Sequence, residues 1–137
     1  MVQQERLASP APGRVLVQTV VSAISSGTEL LIYRGQAPMN MPTDETITAL
    51  SGALTFPLKY GYAAVGRVIA VGSPAEEGWQ GRLVFAFQPH ANYFLTTPSD
   101  LHPLPDSLAP EEAVFLPNME TAVNFLLDGH PLIGERV

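Results

Sequence analysis

Residues 56–72 read FPLKYGYAAVGRVIAVG. From Pro57 to Val71 this stretch reads as a strand that contains two glycines, Gly61 and Gly66. Glycine inside a strand marks a bulge or a close approach of another backbone. Gly72-Ser73-Pro74 then turns the chain.

Working outward, Val15 to Ile24 reads VLVQTVVSAI, rich in β-branched residues and therefore a second strand. Ser25-Ser26-Gly27-Thr28-Glu29 breaks it, and Leu30 to Tyr33 reads as a short helical turn closed by Arg34-Gly35. Residues 36–56 carry Pro38, Pro42 and Gly52 and read as a long irregular loop, either functional or a surface insertion. On the other side, Gly81 to Phe87 (GRLVFAF) and Ala91 to Thr96 (ANYFLT) are strands separated by a Pro89-His90 turn. Trp79 reads as a loop anchor.

Leu101 to Pro110 is a proline-punctuated connector. Pro110-Glu111-Glu112 starts a helix, because proline suits the first helical position and carboxylates suit the positive end of the dipole. Pro117 is expected to end that helix and Asn118 to cap the next. Met119, Ala122, Val123 and Leu126 recur at helical spacing, and Gly129 is the expected C′ residue. Phe115, Met119, Phe125 and Leu126 read as core. Strands first and helices afterwards give a β-rich α+β class.

The bulk numbers set limits. A chain of 137 residues is long enough for one domain with a core. Hydrophobic residues at 46% against 15% charged make it globular rather than disordered. Thirteen prolines and 11 glycines favour short strands and turns over a helical bundle. A net charge of −6 argues against a nucleic-acid surface, which needs a basic face, and against acidic membranes. No apolar run approaches the roughly 20 residues of a membrane span. No signal core is present at the N-terminus, so a cytoplasmic location is expected. The chain has no cysteine, which removes disulfides, thiolate metal sites and thiol nucleophiles.

Several stretches, taken in order, resemble the medium-chain dehydrogenase/reductase family. VLVQTVVSAISSGTELLIYRG (15–35) resembles the strand and turn that carry the first catalytic zinc ligand there. FPLKYGYAAVGRVIAVG (56–72) resembles the family's Gly-His-Glu strand. GRLVFAF (81–87) resembles its Gly-Asp-Arg-Val strand, and ANYF (91–94) the Ala-Glu-Tyr that follows. LPDSLAPEEAVFLPNMETAV (104–123) resembles the linker and helices leading out of the substrate-side domain, and PLIGERV (131–137) the lead into the nucleotide-binding half.

The resemblance implies a GroES-like, partly open β-barrel over residues 15–110. Residues 1–14 would be an N-terminal segment, and residues 111–137 helices leading towards a Rossmann domain that the chain lacks. It also implies NAD(P) as cofactor of the complete enzyme. None is expected for this chain alone, because the glycine-rich turn that cradles the pyrophosphate would follow Val137. The isolated chain is then expected to be inert, its nucleotide-binding half supplied by a second chain or lost.

Carried over residue by residue, the resemblance also implies the loss of the catalytic zinc. Ser26 stands at the Cys position, Tyr62 at the His position and Ala63 at the neighbouring Glu position. Neutral hydroxyls are poor zinc donors. Glu29 falls at the acidic position that supports the zinc shell. Thr28 matches the hydroxyl that relays the alcohol proton, but the relay histidine's place is Leu31. Thr28 is therefore either a substrate or cofactor contact or a turn residue. Tyr62 is either a proton or hydrogen-bond donor to a carbonyl oxygen or a packing tyrosine. Ser26, Asn118, Glu120 and Thr121 are candidate substrate contacts, with helix capping the competing role for Asn118.

His90, His102 and His130 share no ligand spacing and read as surface residues beside prolines. The Gly61-Tyr62 and Ser26–Glu29 motifs resemble the family branch containing bacteriochlorophyllide hydroxyethyl dehydrogenase, which implies a large apolar substrate. Quinone or enoyl reduction is the rival implication. A non-catalytic GroES-like binding module is the alternative to an enzyme half, with an exposed apolar face where the Rossmann half would pack. That face would permit self-association.

Overall fold

The structure is a computed structural model, in which residues 2–38, 56–130 and 134 are described. The segment 39–55, which holds most of the long loop, and the C-terminal PLIGERV stretch apart from Gly134 lie outside the described residues.

Five strands form an open antiparallel sheet in the order β4-β1-β2-β3-β5. They are β1 (Val15–Ser22), β2 (Ala64–Val71), β3 (Leu83–Ala86), β4 (Tyr93–Thr96) and β5 (His102–Pro103). The helices are α1 (Thr28–Tyr33), α2 (Pro110–Ala113) and α3 (Leu116–Gly129). Short 3₁₀ turns at Pro74–Trp79 and Pro98–Asp100 join β2 to β3 and β4 to β5. The class is mixed α/β with an open sheet.

The pleat alternates side chains between two faces, and both faces are covered. Val84 and Ala86 of β3 join Val15, Val17, Ala64, Val68, Phe94 and Leu101 in one apolar cluster. Leu83 and Phe85 join Ala63, Val65, Ala113 and Val114 in the other. All four residues of β3 are therefore buried, and α2 covers the second face through Ala113 and Val114. Trp79 packs against the first cluster as the sequence indicated, with the Arg82 guanidinium 5.6 Å from its ring.

β1 and β2 pair from Val15↔Val71 to Ser22↔Ala64, with irregularities at Leu16/Val17 and Thr19/Val21. Gly66 lies in this ladder. A Cβ placed on it would fall 2.5 Å from the Gln18 carbonyl oxygen and 2.5 Å from Val17 Cγ1, so the close approach expected there is real.

Four local expectations are corrected. The strand begins at Ala64 rather than Pro57, so Gly61 precedes it, with φ +130°. Pro117 does not separate two helices. It occupies the first turn of α3, where its missing N–H has no partner to lose. Asn118 is consequently inside that turn, and Phe115 is the N-cap. At the other end, His130 takes the left-handed position (φ 45°, ψ 41°) expected of Gly129, which is still helical. Lastly, Phe115, Met119, Phe125 and Leu126 are 55–72% exposed rather than core, because only the root of α3, at Pro117, is buried.

Candidate functional site

The end of β1, the start of α1, the segment 60–63 and the turn at His90 meet at one place. β1 runs out at Ser22, and the Ala23 amide donates to the Ala63 carbonyl (3.1 Å), tying the post-β1 chain to the entry of β2. Gly27 is the N-cap of α1 and makes no side-chain cap bond. That leaves Ser26 and Thr28 exposed on the turn and Glu29 in the first helical turn.

His90 closes the junction. Its amide donates to the Tyr60 carbonyl at 3.2 Å. Its imidazole lies so close to Gly61 that an added Cβ would be 2.8 Å from Cδ2 and 2.9 Å from Nε2. Nε2 is 2.6 Å from Glu29 Oε2, and Nδ1 is 3.0 Å from Ser22 Oγ. An ionised carboxylate only accepts, so Nε2 carries the hydrogen and donates to Glu29. In the neutral imidazole Nδ1 then accepts from the Ser22 hydroxyl. Glu29 accepts a second bond at Oε1, from the Ser25 amide at 3.0 Å. The Glu29 side chain is 9% exposed and that of His90 29%. A largely desolvated carboxylate held by two donors in this way has a fixed orientation.

Tyr62 adjoins the cluster on the Phe85 side of the sheet and packs by its ring there, along with Leu116 at the root of α3. Asn118, Glu120 and Thr121 follow on α3 and are exposed. The Thr121 hydroxyl donates back to the Pro117 carbonyl at 2.9 Å. Ser26, Thr28 and Tyr62 are thus carried by the two segments that the Ala23–Ala63 bond joins. Among the described residues no hydrogen bond links Asn118, Glu120 or Thr121 to any of them.

A catalytic zinc does not fit this donor set. The three positions present a serine hydroxyl, a ring-packed phenol and the methyl of Ala63. Among the described residues no three His, Cys, Asp or Glu side chains gather as a metal would need. A dinucleotide cradle is not formed by the described residues either. It takes a parallel strand–turn–helix unit, and every strand pair here is antiparallel.

The sequence reading missed His90 and Ser22 and left Glu29 without a role. Ser22 and Glu29 lie 68 and 61 positions from the imidazole that bonds them. Only the fold brings the three together, and the Pro89-His90 turn was their sole local signal.

No family model matches the chain. It is 35% identical over 103 residues to 2-desacetyl-2-hydroxyethyl bacteriochlorophyllide A dehydrogenase of Cereibacter sphaeroides, a match covering 75% of this chain and 27% of that protein. The apo enoyl reductase JamJ superimposes with a TM-score of 0.66 at 25% identity, over 92% of this chain and 37% of that one. The chain belongs to the medium-chain dehydrogenase/reductase family.

A third likeness shows the fold alone. The 2R,3R-butanediol dehydrogenase of Bacillus subtilis matches 84% of this chain and 40% of its own, with a TM-score of 0.62 at 20% identity. The chain spans about a quarter of the length of the curated relative and between a third and two-fifths of the solved chains it superimposes on. Among the described residues no helix is long and apolar enough to cross a membrane.

Proposed function

We propose that this chain is the substrate-side, GroES-like part of a zinc-free NAD(P)-dependent alcohol or carbonyl oxidoreductase. In this reading residues 15–110 form the GroES-like unit and residues 111–137 lead to a nucleotide-binding part outside this sequence. The observation that carries it is the junction described above. It lies where two segments with the family's motifs meet, and it offers hydroxyls and an imidazole–carboxylate pair in place of a zinc-binding set.

Hydride transfer would be the chemistry supplied by a nicotinamide cofactor held by the nucleotide-binding part of the whole enzyme. This chain's residues hold and polarise the substrate. The Tyr62 phenol and the Thr28 hydroxyl are the groups that meet the substrate oxygen, each able to donate a hydrogen bond to a carbonyl as charge develops on it. Ser26, Asn118, Glu120 and Thr121 contact the rest of a small-molecule substrate. NAD(P) binding is assigned to the missing part, which this chain meets as a second polypeptide or as a continuation of its own.

Titrating the purified chain with NADH and NADPH, followed by nicotinamide fluorescence and zinc analysis of the same sample, tests this. Neither cofactor nor zinc is expected at stoichiometric amounts. Stoichiometric nucleotide would overturn the substrate-side assignment, and stoichiometric zinc would overturn the metal-free one.

A second reading, a non-catalytic binding module, is favoured by α3. Phe125 is 72% exposed, Met119 61%, Leu127 61% and Leu126 60%. Exposed apolar side chains of this kind support packing of the nucleotide-binding half in the first reading and self-association in the second. Sedimentation of the chain alone and of a Met119→Lys/Leu126→Lys variant separates the two. A monomer in both samples removes the self-associating module.

A further inference from the structure

A cleft of about 190 Å³ opens beside the junction, lined by Glu29, Ile32, Tyr33, Phe56, Leu58 and Tyr60. Neither Tyr62 nor Thr28 is among its lining residues, so the reading above leaves this cleft without a role. An apolar cavity of about 150 Å³ takes a benzene molecule, so the space admits one ring with a short substituent.

The lining fixes the chemistry of an occupant. Three of the six side chains are aromatic and two are aliphatic; the remaining one is a carboxylate, and none is basic. The Glu29 side chain is about nine-tenths buried, and its two oxygens accept from the His90 ring and the Ser25 amide. A carboxylate has about four lone-pair positions. Among the described residues two of these positions have no donor, and the donors that orient the group, His90 and Ser25, lie outside the cleft lining. A carboxylate repels anions and offers nothing to a neutral acceptor, and its attraction for a cation grows as water is removed. Aromatic faces favour a cation as well.

Two basic residues adjoin lining residues in sequence, Arg34 after Tyr33 and Lys59 after Leu58, and neither lines the cleft. Lys59 sits between the lining residues Leu58 and Tyr60 in sequence, yet its ammonium pairs with Glu5 at the surface. The chain's net charge of −6 draws cations from solution.

We propose that this cleft binds a small organic ammonium of about one aromatic ring's bulk, its N–H groups donating to Glu29 and its ring lying against Tyr33, Phe56 and Tyr60. The site shares Glu29 with the junction but neither Tyr62 nor Thr28, and it needs no cofactor, so amine binding is read apart from nucleotide binding and the failure of one reading is distinguishable from that of the other.

The test is a titration of the full ¹⁵N-labelled chain with benzylamine at pH 7, alongside benzyl alcohol and benzoate, which keep the ring and change the charge. Benzylamine is expected to saturate with a Kd on the order of 1 mM or tighter, shifting the amides of Glu29, Ile32 and Tyr60. Benzyl alcohol is expected to bind about tenfold more weakly, and benzoate without saturation. Glu29→Gln should weaken benzylamine about tenfold. Tyr33→Ala, at a side chain too exposed for its loss to unfold the protein (84%), should weaken it several-fold while leaving the rest of the spectrum in place. Equal affinity for benzylamine and benzyl alcohol, or full benzylamine affinity in both variants, would overturn the proposal. So would benzylamine shifts that fail to saturate and spread over other acidic side chains.

Discussion

Replacing Gly61 with alanine tests whether the His90 junction is as tightly built as its geometry states. Gly61 has φ +130°, a region open to glycine and closed in practice to other L-residues. Holding alanine there costs about 1–3 kcal/mol. The new Cβ would also lie 2.9 Å from the His90 backbone nitrogen and 2.8 Å from its ring. The ring can rotate away, but only by giving up Glu29 and Ser22. The backbone nitrogen is tied to the Tyr60 carbonyl. Overpacking of this kind adds about 1–3 kcal/mol.

Taking about 3 kcal/mol as the sum after partial relaxation, Tm should fall by about 10 °C for a chain of this length. Circular dichroism melts of Gly61→Ala measure it, with Gly78→Ala as control. Nothing lies within 4 Å of a Cβ built at Gly78, so that variant should stay within about 0.5 kcal/mol of the parent. A Gly61→Ala melt within about 2 °C of the parent would refute the packing argument for the junction.

Gly66→Ala should be at least as damaging, because its Cβ would meet the Gln18 carbonyl, which belongs to the ladder and has no rotamer to escape into; urea midpoints give the comparison. Phe85→Ala should cost about 3–5 kcal/mol, as Phe85 is fully buried, whereas Phe125→Ala, at a side chain 72% exposed, should change stability by less than about 0.5 kcal/mol; equal losses would mean that α3 is covered in solution. Asp100 is held below its ordinary value of 3.8, first by the Thr97 hydroxyl bond, against a burial effect that raises it, with Thr96, the Thr97 amide and Arg14 also lowering it. A lowered folded-state pKa gives stability that is present above the unfolded value and lost as pH falls below 3.8 through the folded value. Asp100→Asn should therefore be less stable than the parent at pH 6, with the gap closing below pH 4; a gap independent of pH would contradict this.

The strands were legible because their signal is local. VLVQTVVS and GRLVFAF are short, β-branched or apolar runs between turn residues, and β1 and β3 fall inside them. The segment 57–63 misled because apolar content alone does not make a strand. With Gly61 at a positive φ the backbone turns there, and pairing with β1 starts only at Ala64. Proline at position 117 misled in the opposite way. It reads as a breaker, yet in a first turn there is no intrahelical N–H bond to break. Within the candidate site, the positions of Ser26, Thr28 and Tyr62 followed from motifs along the chain. The two side-chain bonds of the His90 ring run between residues more than 60 positions apart, and no spacing rule reaches that far.

α3 separates what a hydrophobic pattern states from what it omits. Met119, Val123 and Leu126 recur at intervals of three and four, which on a helix makes one apolar stripe. Asn124 and Asp128 fall on the opposite side. The pattern therefore named the element and its apolar face correctly, and it contains no information about what lies against that face. Reading Met119 and Leu126 of this stripe as core assumed a partner inside this sequence. The structure buries the root of the helix at Pro117 and leaves the stripe open. The curated relative, of which the 103 matched residues are 27%, has further chain with which to cover such a surface. The same residues that read as core from the sequence are thus those whose substitution by charge should act on association and leave the fold of residues 15–110 intact.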